Sequence, residues 1–153
     1  MRSVTRRIEP IVLMEDDSHD TFFVRHALKK ANIVNPLVCF KTAKEARDHF
    51  AATSTFAVPA LFVVDVNLAG GETGIEFLRW LRQQPSPLGS TPTMMLTGST
   101  RRADRQQAEK LGSIHFLHKP VTEDMLTRAM ESLGFLIVSL TGFTTERTIE
   151  RRD

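Results

Sequence analysis

The chain has 153 residues, 41% of them hydrophobic and 25% charged, and its formal net charge is +2. This is the size and composition of one globular domain; it leaves no room for a two-domain enzyme and carries no strong nucleic-acid or membrane signal. Cys39 is the single cysteine, which excludes an intramolecular disulfide, argues against a cysteine-based zinc site and makes the reducing cytoplasm the expected location.

Residues 1–8 form a polar tail with no apolar stretch behind Arg2, Arg6 and Arg7, so no secretory signal is expected. Beyond it, short apolar runs alternate five times with helical patterns. Pro10–Met14 precedes a helix over Asp20–Ala31, in which Phe23, Val24, Ala27, Leu28 and Ala31 share one face. Pro36–Phe40 precedes a more polar helix, Ala43–Ala52. Ala60–Val64 precedes Glu76–Gln84, which carries Phe77, Leu78 and Leu81, and Gln84–Thr93 is a turn-rich connector. Thr93–Leu96 precedes Ala103–Leu111, which Gly112 closes. Ile114–Leu117 precedes Val121–Leu133, with Val121, Met125, Leu126, Ala129 and Leu133 on one face.

None of the runs alternates cleanly, and continuous apolar runs suit strands buried on both faces of a parallel sheet. The order is (βα)5. Right-handed crossovers then give an α/β, doubly wound, five-stranded parallel sheet. Gly134–Phe143 is the most apolar window, far short of the roughly 20 residues that span a bilayer. Residues 134–153 lie outside the five units and read as a docking segment or a frayed end.

In open α/β sheets, ligands bind beyond the carboxyl ends of the strands. The first run is followed by Glu15, Asp16 and Asp17, the third by Asp65, Val66 and Asn67, the fourth by Thr97, Gly98 and Ser99, and the fifth by Lys119, with Pro120 starting the last helix. A lone aspartate after a strand is more often a turn former or cap than a nucleophile, and one of Asp17, Ser18 and Asp20 is expected to be an N-cap. The coincidence of four such features on one rim outweighs that reading. Carboxylates from two strands suit a hard cation such as Mg2+. With a metal present, Asp65 is placed to attack phosphorus, and Lys119 and the Thr97 hydroxyl to hold phosphoryl oxygens.

The pieces IVLMEDD (Ile11–Asp17), LFVVDVNLAG (Leu61–Gly70), TPTMMLTGS (Thr91–Ser99) and FLHKP (Phe116–Pro120) resemble the receiver domain of two-component response regulators. Within that family, the chain looks most like the small stand-alone regulators paired with phytochrome-type kinases. The resemblance implies a flavodoxin-like single domain over residues 9–133, followed by an extension, 134–153, suited to dimerisation or docking. It implies Asp65 as phosphoacceptor, Mg2+ held by Glu15, Asp16, Asp65 and the Asn67 carbonyl, and Thr97 and Lys119 on the phosphoryl group. Phe116 matches an aromatic switch position that follows Thr97, and Asn67 and Ser99 match positions that tune dephosphorylation. The implied partners are a sensor histidine kinase or phosphotransfer protein and a second copy of the chain, Val121–Leu140 supplying the dimer surface; no nucleic acid, no membrane and no catalytic output domain are implied.

The loop NLAGGETG after Asp65 departs from the family pattern. Ala69 stands where proline is usual, about one residue is added, and Gly70, Gly71 and Gly74 make the loop permissive. This motivates an alternative, a degenerate receiver that binds partners independently of phosphorylation. An enzyme on the same architecture fits less well. The acidic Glu15-Asp16-Asp17 is the opposite of a flavin phosphate loop, Asn67 stands where a DxD phosphatase needs an acid, and Rossmann glycines are missing from the first turn. The five histidines show no metal spacing, Trp80 reads as partly exposed cover, and Arg101, Arg102 and Arg105 read as a solvated face, with a partner surface as the alternative.

Overall fold

A computed structural model describes residues 9–52, 58–98, 102–113, 115–132, 136–139 and 147–150, with side chains described up to Ala129 and again at Ile149. The strands are β1 (Ile11–Met14), β2 (Leu37–Phe40), β3 (Leu61–Asp65), β4 (Thr93–Thr97) and β5 (His115–His118), and the helices are α1 (Ser18–Lys30), α2 (Ala43–Ala52), α3 (Gly74–Arg82), α4 (Arg102–Lys110) and α5 (Glu123–Ser132). The strands form one parallel sheet in the order β2-β1-β3-β4-β5. This is the doubly wound, flavodoxin-like (βα)5 fold expected from the alternation of runs and helices.

The apolar runs are continuous because each strand feeds two cores. Successive side chains point to opposite faces. Ile11, Leu13, Leu61, Val63, Met94 and Leu96 pack under α1 and α5, against Val24, Ala27, Leu28, Leu126 and Ala129. Val12, Met14, Phe62, Val64 and Met95 pack on the other face with Phe50 of α2, Phe77, Leu78 and Leu81 of α3 and Ala108 of α4. Burying one such side chain contributes about 1.5–3 kcal/mol, so the two clusters dominate stability.

Burial on both faces holds for the central strands only. β2 and β5 are the sheet edges; Val38 and Cys39 are exposed and β5 is only partly buried. Phe23 does not join the buried face of α1 but is exposed, because it lies to the side of the Val24–Ala27–Leu28–Ala31 stripe. Pro120 does not start the last helix: α5 begins at Glu123, after Thr122 accepts a bond from the Met125 amide. Leu133 lies outside the described residues.

Two polar staples were not visible in the sequence. Arg82, at the end of α3, donates to the carbonyls of Leu111, Gly89 and Thr91 and to the Thr93 hydroxyl. It thereby ties α3 to α4, β4 and the 3-10 turn at Leu88–Ser90. In the 134–153 extension, β6 (Leu136–Ser139) pairs antiparallel with β7 (Arg147–Glu150). Ile149 is buried in the α1/α5 core. Asn35 grips it: its Oδ1 accepts from the Ile149 amide at 2.7 Å, and its Nδ2 donates to the carbonyls of Ile149 and Glu9 at 2.9 and 2.8 Å. Among the described residues, no helix is long and apolar enough to cross a membrane.

Candidate phosphoryl-acceptor site

Parallel pairing puts the carboxyl ends of all five strands on one rim. Asp65 is the last residue of β3 and Thr97 the last of β4, both buried. Glu15 and Asp16 follow β1, the first buried and the second exposed. Lys119 follows β5, its amide bonded to the Thr97 carbonyl at 3.0 Å. Phe116 pairs in register with Met95 and is partly buried against the same core. By strand alternation, Thr97 faces the same side as Met95, so Thr97 and Phe116 share the α4 side of the sheet. Ser99 and Arg101 lie outside the described residues.

The centre of the rim is the Lys119 ammonium. Its Nζ lies 2.7 Å from Glu15 Oε2, Asp20 Oδ2 and Asp65 Oδ2. An ammonium has three donors, and three carboxylates face it. Burial works against the Lys119 charge, but the bonds to Asp20, Asp65 and Glu15 outweigh it and hold the pKa above the ordinary lysine value. The Glu15 pKa is also raised, but here burial is what raises it, well above the usual carboxylate range, and its ion pair with Lys119 only partly offsets this. The remaining Glu15 oxygen accepts from the Asp17 amide at 3.1 Å, and Asp65 Oδ1 accepts from the Asn67 amide at 3.1 Å. Asp65 is therefore fixed in direction by one bond on each oxygen.

Glu15, Asp16 and Asp65 each offer a carboxylate oxygen, all within 4.8 Å of one another. The set is oxygen only, with no imidazole or thiolate, and such a set fits a hard divalent cation. The first turn of α1 completes the rim. Asp17 is its N-cap, accepting from the amides of His19 and Asp20, and those bonds depress the Asp17 pKa. Asp20, one of the three residues from which an N-cap was expected, is not the cap but reaches Lys119. Helical side chains lean towards the N-terminus, and that lean brings a first-turn acid back over the strand ends.

The loop after Asp65 is better held than its glycines suggest. Gly70 and Gly71 adopt positive φ of 87° and 85°, the conformation glycine tolerates. Ala69 forms a parallel bridge with Thr42, Glu72 pairs with Arg47 of α2 at 2.7 Å, and Thr73 with Glu76 forms a capping box at the start of α3. Gly74 is required for another reason: its amide bonds the Val66 carbonyl at 2.8 Å, and a Cβ there would overlap the Asp65 carbonyl. Elsewhere, His19, His26, His49 and His118 are exposed, Trp80 is partly buried, and Arg105 pairs with Glu109 on the solvated side of α4.

Comparison with known proteins defines the class. Residues 11–131 match the response regulator receiver domain, and the chain belongs to that family. Among solved structures it is similar to the bacteriophytochrome response regulator RtBRR, at 26% identity over 88% of this chain and 83% of that one with a TM-score of 0.78. It is also similar to the bacteriophytochrome response regulator AtBRR, at 27% identity over 90% and 99% of the two chains with a TM-score of 0.75. The transcriptional regulatory protein FixJ of Bradyrhizobium diazoefficiens is 39% identical over 70 residues, which cover 46% of this chain and 32% of that protein.

Proposed function

We propose that this receiver domain accepts a phosphoryl group on Asp65 from a phosphohistidine of a sensor histidine kinase or phosphotransfer protein, with Mg2+, and signals through phosphorylation-dependent protein–protein contacts. The observation that carries this reading is Asp65 itself, buried, bonded on both oxygens, and set among the Glu15 and Asp16 carboxylates and the Lys119 ammonium.

In the transfer, an Asp65 oxygen forms the new bond to phosphorus as the phosphorus–nitrogen bond breaks, and that electron pair stays with the leaving imidazole. Lys119 trades its contacts with Asp65 and Glu15 for bonds to phosphoryl oxygens. Thr97, at the end of the adjacent strand, supplies a hydroxyl to another. Glu15, Asp16, Asp65 and the Asn67 carbonyl would hold Mg2+, whose contribution is to neutralise charge on the transferring group. Movement of Thr97 towards the phosphoryl group opens space on the side of the sheet it shares with Phe116, and this couples the site to the α4 side by packing alone, since Phe116 has no hydroxyl.

α1, which starts at the rim, presents Phe22 and Phe23, 61% and 45% exposed, as an apolar surface for a protein donor. Resemblance to the two bacteriophytochrome response regulators supports a phytochrome-type kinase as that donor. For the output, the reading assigns residues 134–153, with α5, to contacts with a second copy of the chain. The alternative, a phosphorylation-independent module, rested on the altered loop after Asp65, and that loop is held on both flanks. Incubation with Mg2+ and a small phosphodonor tests the proposal. Intact-mass measurement is expected to show one added phosphoryl group on the wild type and none on Asp65→Asn; no gain on the wild type sinks it.

A further inference from the structure

We propose that Asp20 is a positioning residue that anchors the Lys119 ammonium and so clears the metal-binding carboxylates for the cation. The proposal rests on the phosphoacceptor reading above and adds a residue to it.

Lys119 faces three carboxylates: its ammonium donates to Asp20 and Asp65 and is ion-paired with Glu15. Two of these, Glu15 and Asp65, belong to the cluster suited to a divalent cation. A cation and an ammonium compete for the same oxygens, so a lysine held only by Glu15 and Asp65 opposes metal entry. Asp20 lies outside that cluster yet bonds Nζ at the same 2.7 Å. It is placed to keep one Lys119 donor when the metal takes the Glu15 and Asp65 oxygens, which leaves the ammonium's other donors for phosphoryl oxygens.

Asp20 is set for this role by the fold. Its backbone is fixed in the first turn of α1 by the Asp17 cap, where the helix N-terminus favours a negative charge. Its side chain is 28% exposed, against 17% for Lys119 and 5% for Asp65, so it stands at the outer edge of the cluster. The ammonium retained there stays within one side-chain pivot of Asp65.

The experiment is a double-mutant cycle read by calorimetric Mg2+ titration of Asp20→Ala, Lys119→Ala and the double variant. Couplings within one ion-pair network change affinity measurably, and Asp20→Ala is expected to weaken Mg2+ binding roughly three- to tenfold when Lys119 is present. In the Lys119→Ala background the same change is expected to cost less than about twofold. Asp20→Glu, which keeps the anchor, is expected to restore most of the affinity. Circular dichroism checks each fold, and Asp20→Asn carries the cycle should Asp20→Ala not fold. Equal weakening in both backgrounds reduces Asp20 to a through-space charge and overturns the proposal, as does no weakening at all. A wild type that binds Mg2+ and shows such additivity leaves the phosphoacceptor reading intact; one that binds no Mg2+ overturns both.

Discussion

At position 74 the site tolerates no side chain. A methyl group there would overlap the Asp65 carbonyl, and relief requires backbone movement at the end of β3, which carries Asp65, or at the start of α3. Gly74→Ala is therefore expected to cost about 2 kcal/mol or more of stability and to slow phosphorylation of Asp65 at a given Mg2+ concentration. Denaturant unfolding with a phosphorylation time course checks both, and a variant with wild-type stability and rate would show that the loop absorbs the methyl group. The rim residues Glu15, Asp16, Asp65, Thr97 and Lys119 were legible in the sequence because each sits where an apolar run ends. Asp20, Asn35 and Arg82 were not. The acceptor partners of Arg82 lie up to 29 residues away, and Ile149 lies 114 from Asn35, so no local pattern marks them.

The elements were legible from the alternation of apolar runs and amphipathic stretches, and strand bounds differ from the apolar runs by about a residue. What periodicity does not encode is which strand lies at an edge, because strand order follows from the crossovers. Hence β2 reads as buried and proves exposed at Val38 and Cys39. The terminal hairpin is a similar case: its strands are short, and what fixes it is the amide of Asn35, which bonds both polar groups of the Ile149 backbone. Asn35→Ala leaves those groups and the Glu9 carbonyl without that partner. Unmet buried polar groups cost about 1–3 kcal/mol each, so the variant is expected to release β7 and speed proteolysis after Arg147, with β1–β5 still protected. Hydrogen exchange at the Ile149 amide checks this; unchanged protection there would mean that Ile149 packing alone holds the hairpin.

Across the whole molecule, the near-neutral charge of +2 averages a concentrated acidic rim against basic residues spread elsewhere. Lys119 meets three carboxylates with Asp16 nearby, so the rim carries net negative charge, and on the phosphoacceptor reading a phosphoryl group needs a cation there to offset it. If α5 and the 134–153 extension bind a second copy, light scattering with a beryllofluoride phosphoryl mimic is expected to shift the chain towards dimer, and an unchanged mass with and without the mimic would remove that output. The central claim, that Asp65 is the Mg2+-dependent phosphoacceptor, is tested most directly by treating the protein with a small phosphodonor, trapping the acyl phosphate by borohydride reduction and sequencing the peptides by mass spectrometry. Homoserine at position 65, formed with Mg2+ and not with a chelator, is the expected result. Reduction at another carboxylate, or labelling that ignores Mg2+, would show that the rim serves some other chemistry.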